Sequence, residues 1–238
     1  MKILAPLWYL WKSRFKRENT WSFEVFSSET ELDLLAEKHG TDKGGRNRPV
    51  LNPDRERHNY SQVYDFLLAS RKSQVSSVFE CGIGSKNQSV EGNMGPSAEE
   101  GASLRVWRDY FPQASIVGVD IDSECLFQEE RIRTFQCDQT NRVQVSELFS
   151  LLDTHFDLIV DDGLHTFDAN LSFLNVAHRH LRTGGYHVIE DVHVNDLGRW
   201  KSIAESDSSL SELVASIVTL RKPGGSRADN NLVIFRRP

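Results

Sequence analysis

The sequence predicts an α/β fold: a doubly wound, Rossmann-like, mostly parallel sheet with an antiparallel C-terminal hairpin, preceded by N-terminal helices. Three observations predict it. From Ser76 onward, short apolar runs alternate with helical patterns, as expected for parallel strands buried on both faces. Acidic residues stand at the ends of five successive runs, where ligands bind in open α/β sheets. The final stretch, ASIVTLRKPGGSRADNNLVIFRRP, reads as two strands around a glycine-containing turn.

The 238 residues suit one sizeable domain with appendages: an N-terminal helical extension and lid region over 1–72, then the α/β domain over 73–238. A hydrophobic content of 39% with 26% charged residues is that of a soluble globular protein. The net charge of −6 supplies no basic field, which argues against nucleic-acid binding. Cys81, Cys125 and Cys137 are odd in number and lack CxxC spacing, so free thiols in a reducing, cytoplasmic setting are expected.

Along the chain, MKILAPLWYLWKSRFKR places Leu4, Leu7, Trp8, Trp11 and Phe15 on one helical face, with basic residues clustered after it. Its apolar run is too short to span a bilayer. Residues 1–17 fit either a helix packed on the domain or a second subunit, in an expected homo-oligomer, or a peripheral membrane contact. SSETELDLLAEKHG reads as a capped helix from Ser27 that stops at Gly40. TDKGGRNRPVLNPDRERHN is a long loop, and Tyr60 to Arg71 a helix.

Then follow the strand VSSVFECG, a glycine turn and long loop, and the helix SLRVWRDYF. The strands ASIVGVDID and IRTFQCD precede a helix from Val143 to Leu152. FDLIVDD leads to a helix over Phe167 to His180, and YHVIED is the fifth run.

In Glu80-Cys81-Gly82-Ile83-Gly84, glycines let backbone approach a ligand, although the third glycine of GxGxxG is missing. Asp120, ending the second run, suits ribose hydroxyls. Asp138 and Gln139, after the third, suit an adenine edge. As an ordered series these residues point to a nucleoside site, against a reading as simple helix caps. The adjacent pairs Asp161-Asp162 and Glu190-Asp191 would repel unless a cation sat between them. His165 could face the same pocket and take a proton, with His193 as a neighbour. Asp161 either orients one side of the pocket or merely caps a helix.

This order of motifs resembles the class I S-adenosylmethionine-dependent methyltransferases over residues 76–238. HGTDKG, GASLRVWRDYFP, GVDID, CDQ, DDGLH and GGYHVIEDVH more narrowly resemble the macrocin and mycinamicin type of sugar O-methyltransferases. That resemblance implies Mg²⁺-dependent transfer of methyl from S-adenosylmethionine to a sugar hydroxyl of a glycoside or glycan. It maps metal ligands onto Asp162, Glu190 and Asp191, and a general base onto His165. Leu164 and Cys137 depart from the family's usual Ser and Gly, and the loop from Ser85 to Glu100 looks specific to this branch. HGTDKG is either a lid over the cofactor or an ordinary helix stop. Rival readings are a related metal-dependent enzyme of the cephalosporin hydroxylase group, a nicotinamide oxidoreductase, which would lack its third glycine and a Tyr-x-x-x-Lys pair, and a membrane-associated binding module.

Overall fold

The structure, a computed structural model, describes residues 18–24, 30–44, 58–96, 99–221 and 228–238. The expected helical face in 1–17, most of the loop after Gly44, and the glycines of the C-terminal turn lie outside these residues.

Among the described residues the sheet has nine strands: β1 (Glu18–Glu24), β2 (Ser77–Cys81), β3 (Ser115–Asp120), β4 (Gln128–Glu129), β5 (Ile132–Gln136), β6 (Phe156–Asp161), β7 (Leu181–Ile189), β8 (Val214–Arg221) and β9 (Asn231–Arg236). Their spatial order is β1-β8-β9-β7-β6-β2-β3-β5-β4. The five central strands β5, β3, β2, β6 and β7 run parallel, and β9 enters antiparallel between β7 and β8. The expected doubly wound sheet with a reversed C-terminal hairpin is therefore present. β1, which pairs parallel with β8 at the far edge, was not expected, nor was the short β4.

The helices are α1 (Glu31–His39), α2 (Tyr60–Leu68), α3 (Ala102–Tyr110), α4 (Arg142–Leu152), α5 (Phe167–Ala177) and α6 (Leu197–Ser206). The sequence reading missed α6. α1 begins later than Ser27: Thr30 is its N-cap, accepting from the Asp33 N–H, while the Asp33 carboxylate accepts from the Thr30 N–H. It ends at Gly40 in a left-handed cap, as expected.

Tyr64, Trp107 and Phe111 pack under one sheet face, while Phe79, Phe149, Phe156 and Phe173 cluster within the second core. Buried on both sides over most of their length, the central strands carry their side chains into these cores, and their carboxyl ends open towards the cavity described below. Register aligns Cys81 with Asp161 and Asp161 with Ile189. Gly82, Asp162 and Glu190 therefore form the next row, just beyond the edge of three strands spaced about 4.8 Å apart. Among the described residues, no helix is long and apolar enough to cross a membrane.

Candidate active site

A cavity of about 900 Å³ opens at the carboxyl ends of the central strands. It straddles the point where the strand order reverses, with β3 on one side of β2 and β6 on the other, the usual ligand position in such sheets. Gly82, Gly84, Asp120, Asp138, Gln139, Asp162, His165, Glu190 and Asp191 all line it. Glu80 and Asp161 are buried and lie behind the lining.

The glycine turn is shaped by the neighbouring strand as much as by any ligand. Gly82 has φ +85°, and a Cβ there would lie 2.0 Å from the Asp162 carbonyl oxygen. Asp120 braces the same turn: Oδ2 accepts from the Ile83 N–H at 3.0 Å and Oδ1 from the Asp122 N–H at 3.0 Å. Each carboxylate oxygen has a second lone pair, so these bonds leave acceptor capacity facing the cavity.

Gln139 joins two loops. Its Nε2 donates to Asp161 Oδ1 at 2.5 Å and its Oε1 accepts from the Leu164 N–H at 2.9 Å. Asp138 accepts from the Thr140 N–H and hydroxyl at the cavity wall. Burial raises the Asp161 carboxyl to about 7, and its Oδ2 has no hydrogen-bond partner. His193 is exposed and caps the turn after it through the Asn195 N–H, away from the cavity lining.

The two acidic pairs do converge. Ligand atoms of Asp162, His165 and Asp191 lie within 4.8 Å of one another. His165 Nε2 is 3.8 Å from Asp191 Oδ2. Both His165 (φ 58°) and Asp191 (φ 51°) have left-handed backbones. Glu190 is buried, with Oε1 accepting from the Tyr64 hydroxyl at 2.5 Å and Oε2 from Lys43 at 2.5 Å.

Sequence reasoning missed the cage around these acids. Lys43 Nζ reaches Asp162 Oδ2 at 2.6 Å, Glu190 Oε2 at 2.5 Å and Glu80 Oε1 at 3.3 Å. Burial disfavours its charge, but the carboxylates of Asp162, Glu190 and Glu80 outweigh that and raise its pKa. Tyr60 donates to Asp191 Oδ1 at 2.6 Å, and its oxygen accepts from the Asp191 N–H. His58 stacks on Tyr60 and approaches Asp191 Oδ1 at 3.3 Å. Burial, then the adjacent carboxylates, hold both phenols well above their ordinary pKa, so they stay donors. Tyr60 and Tyr64 stand four apart, on one face of α2; that spacing was the available signal. HGTDKG was the other. Gly40 does stop the helix, and Lys43, three residues on, belongs to the site.

Residues 96–189 match the methyltransferase domain family. A solved structure of MycE methyltransferase from the mycinamycin pathway, in complex with Mg and SAH, superposes with a TM-score of 0.61. The superposition covers 89% of this chain and 55% of that one at 23% identity, a likeness of fold. The match over residues 96–189 and the likeness of fold are both to methyltransferases.

Within that class, the chain resembles the sugar O-methyltransferases. It is 32% identical over 164 residues to a Streptomyces olivaceus 8-demethyl-8-(2-methoxy-alpha-L-rhamnosyl)-tetracenomycin-C 3'-O-methyltransferase, covering 68% of this chain and 37% of that protein. It is 32% identical over 135 residues to the mycinamicin VI 2''-O-methyltransferase of Micromonospora griseorubida, covering 57% and 32% respectively. The matched region thus spans well under half the length of these curated relatives.

Proposed function

We propose that the chain transfers a methyl group from S-adenosylmethionine to a sugar hydroxyl of a glycoside or glycan, with Mg²⁺ bound at the strand ends. The observation that carries the reading is the convergence of Asp162, His165 and Asp191 within 4.8 Å beside a cavity lined by the glycine turn. The residues fit a divalent cation. Lys43 contacts Glu80, Asp162 and Glu190, and Asp191 bonds instead to Tyr60, so four carboxylates face one lysine, an acidic surplus made of oxygen donors, which Mg²⁺ prefers.

Asp162, Glu190 and Asp191 would hold the metal, which supplies Lewis acidity and a template for a vicinal diol. Gly82, Gly84, Asp120, Asp138 and Gln139 would form the walls of the S-adenosylmethionine site, with Glu80 and Asp161 supporting them from behind. The acceptor oxygen attacks the methyl carbon while the carbon–sulfur bond breaks towards sulfur. His165 takes the hydroxyl proton at Nε2, and Asp191 beside it stabilises the imidazolium. Alignment of the two substrates supplies the rest.

A second reading rests on the engagement of both Glu190 oxygens. His165 would then be the third metal ligand in place of Glu190. The test of function is release of S-adenosylhomocysteine across a panel of deoxysugar conjugates and cell-surface glycans, with and without Mg²⁺. Turnover with none of them, or full turnover in EDTA, contradicts the reading.

A further inference from the structure

The position of Lys43 has a consequence for the metal that none of the acids reveals alone. Its segment is fixed to the protein on both sides: the His58 N–H donates to the Asp42 carbonyl and the Ser61 N–H to the Lys43 carbonyl. A Cβ on Gly44 would lie 2.6 Å from that of Ala36, so the backbone also sits tightly on α1. The side chain is only 6% exposed. An ammonium has three N–H donors, and three carboxylates surround this one. Two of them, Asp162 and Glu190, belong to the proposed metal set.

We propose that Lys43 is a built-in counter-cation that shares Asp162 and Glu190 with the divalent metal, holding the acids together without metal and keeping metal affinity low when it binds. This rests on the metal reading above. The physical argument is one of sign. A unit positive charge bonded to two ligands of a dication repels it across a few ångströms, and near a protein surface that repulsion outweighs any loss of orientation from removing one hydrogen bond. Lysine acts here as a point charge, not as a planar fork.

The sign separates this role from a merely structural one. Damage to the site weakens metal binding, whereas removal of a competing charge strengthens it. Lys43→Met should bind Mg²⁺ at least roughly tenfold more tightly than the wild type in calorimetric titrations at pH 8. Lys43→Arg, which keeps the charge, should stay near the wild-type value. Without metal, Lys43→Met should be less stable than the wild type, and Mg²⁺ should raise its melting temperature by more.

If Lys43→Met does not fold in EDTA but does fold with Mg²⁺, that too supports the role. If it folds in neither, Lys43→Gln replaces it in the same titration. Weaker or unchanged Mg²⁺ affinity in a folded neutral variant overturns the proposal. A wild type that binds no Mg²⁺ while the neutral variant does would overturn both the metal reading and the sharing, since Lys43 would then occupy the site alone. Binding by neither refutes both.

Discussion

Tyr64 donates its hydroxyl to Oε1 of Glu190 at 2.5 Å, across 126 positions of sequence, and both groups are buried. Tyr64→Phe leaves that oxygen without its donor while preserving the ring packing against Trp107. The cost should be about 1–3 kcal/mol of unfolding free energy in the metal-free protein, measured by urea denaturation. An unchanged midpoint and slope would show that Glu190 finds another partner.

Asp120 holds the glycine turn through the Ile83 N–H as well as facing the cavity. Asp120→Ala should therefore weaken S-adenosylhomocysteine binding more than the loss of one ribose hydrogen bond, by roughly tenfold or more. Titration calorimetry reads this directly, and unchanged affinity removes Asp120 from the cofactor site.

His165→Ala and Asp191→Asn should fail in different ways. With His165 as base, its removal leaves Mg²⁺ and cofactor binding intact and lowers turnover by about 10²–10⁴-fold. Asp191→Asn weakens Mg²⁺ binding, with activity partly recovered at high Mg²⁺. Should His165→Ala abolish Mg²⁺ binding instead, His165 is a ligand and the second reading stands.

His187 is fully buried in β7, and neither ring nitrogen has a hydrogen-bond partner. Burial, then the nearby His178 charge, depresses its pKa from 6.5 to about 3. The unfolded chain binds a proton below pH 6.5 that the folded chain refuses until about pH 3. This contribution to stability is present above pH 6.5 and is lost progressively as pH falls towards 3. His187→Leu should flatten that part of the melting-temperature profile. A profile parallel to the wild type would mean that His187 does not govern it.

The sheet and the row of acids were legible because buried parallel strands announce themselves as apolar runs, and each run ended where a ligand site must lie. Asp162, Glu190 and Asp191 could be paired because β6 and β7 are spatial neighbours. Lys43 was not legible as a partner: it lies 119 positions from Asp162 in a polar loop, where no periodicity links a side chain to its contact. Glu80 and Gln139 match cofactor motifs, yet their polar atoms bond to Trp107 and Asp161 inside the protein. A pattern of residue types does not distinguish an acid that touches a ligand from one that shapes the wall behind it. β1 was hidden because an edge strand's partner, β8, lies nearly two hundred positions away.

The left-handed backbones of His165 and Asp191 bear on how the protein can change over generations. They are two of four non-glycine residues with positive φ among the described residues. Such a conformation costs an ordinary side chain about 1–2 kcal/mol and glycine almost nothing. At these two positions glycine would relax the backbone while removing the imidazole or carboxylate. A lineage released from selection for turnover could drift to glycine at 165 and melt higher than its working ancestor, whereas glycine at 191 would also strand the buried Tyr60 hydroxyl from which Asp191 accepts.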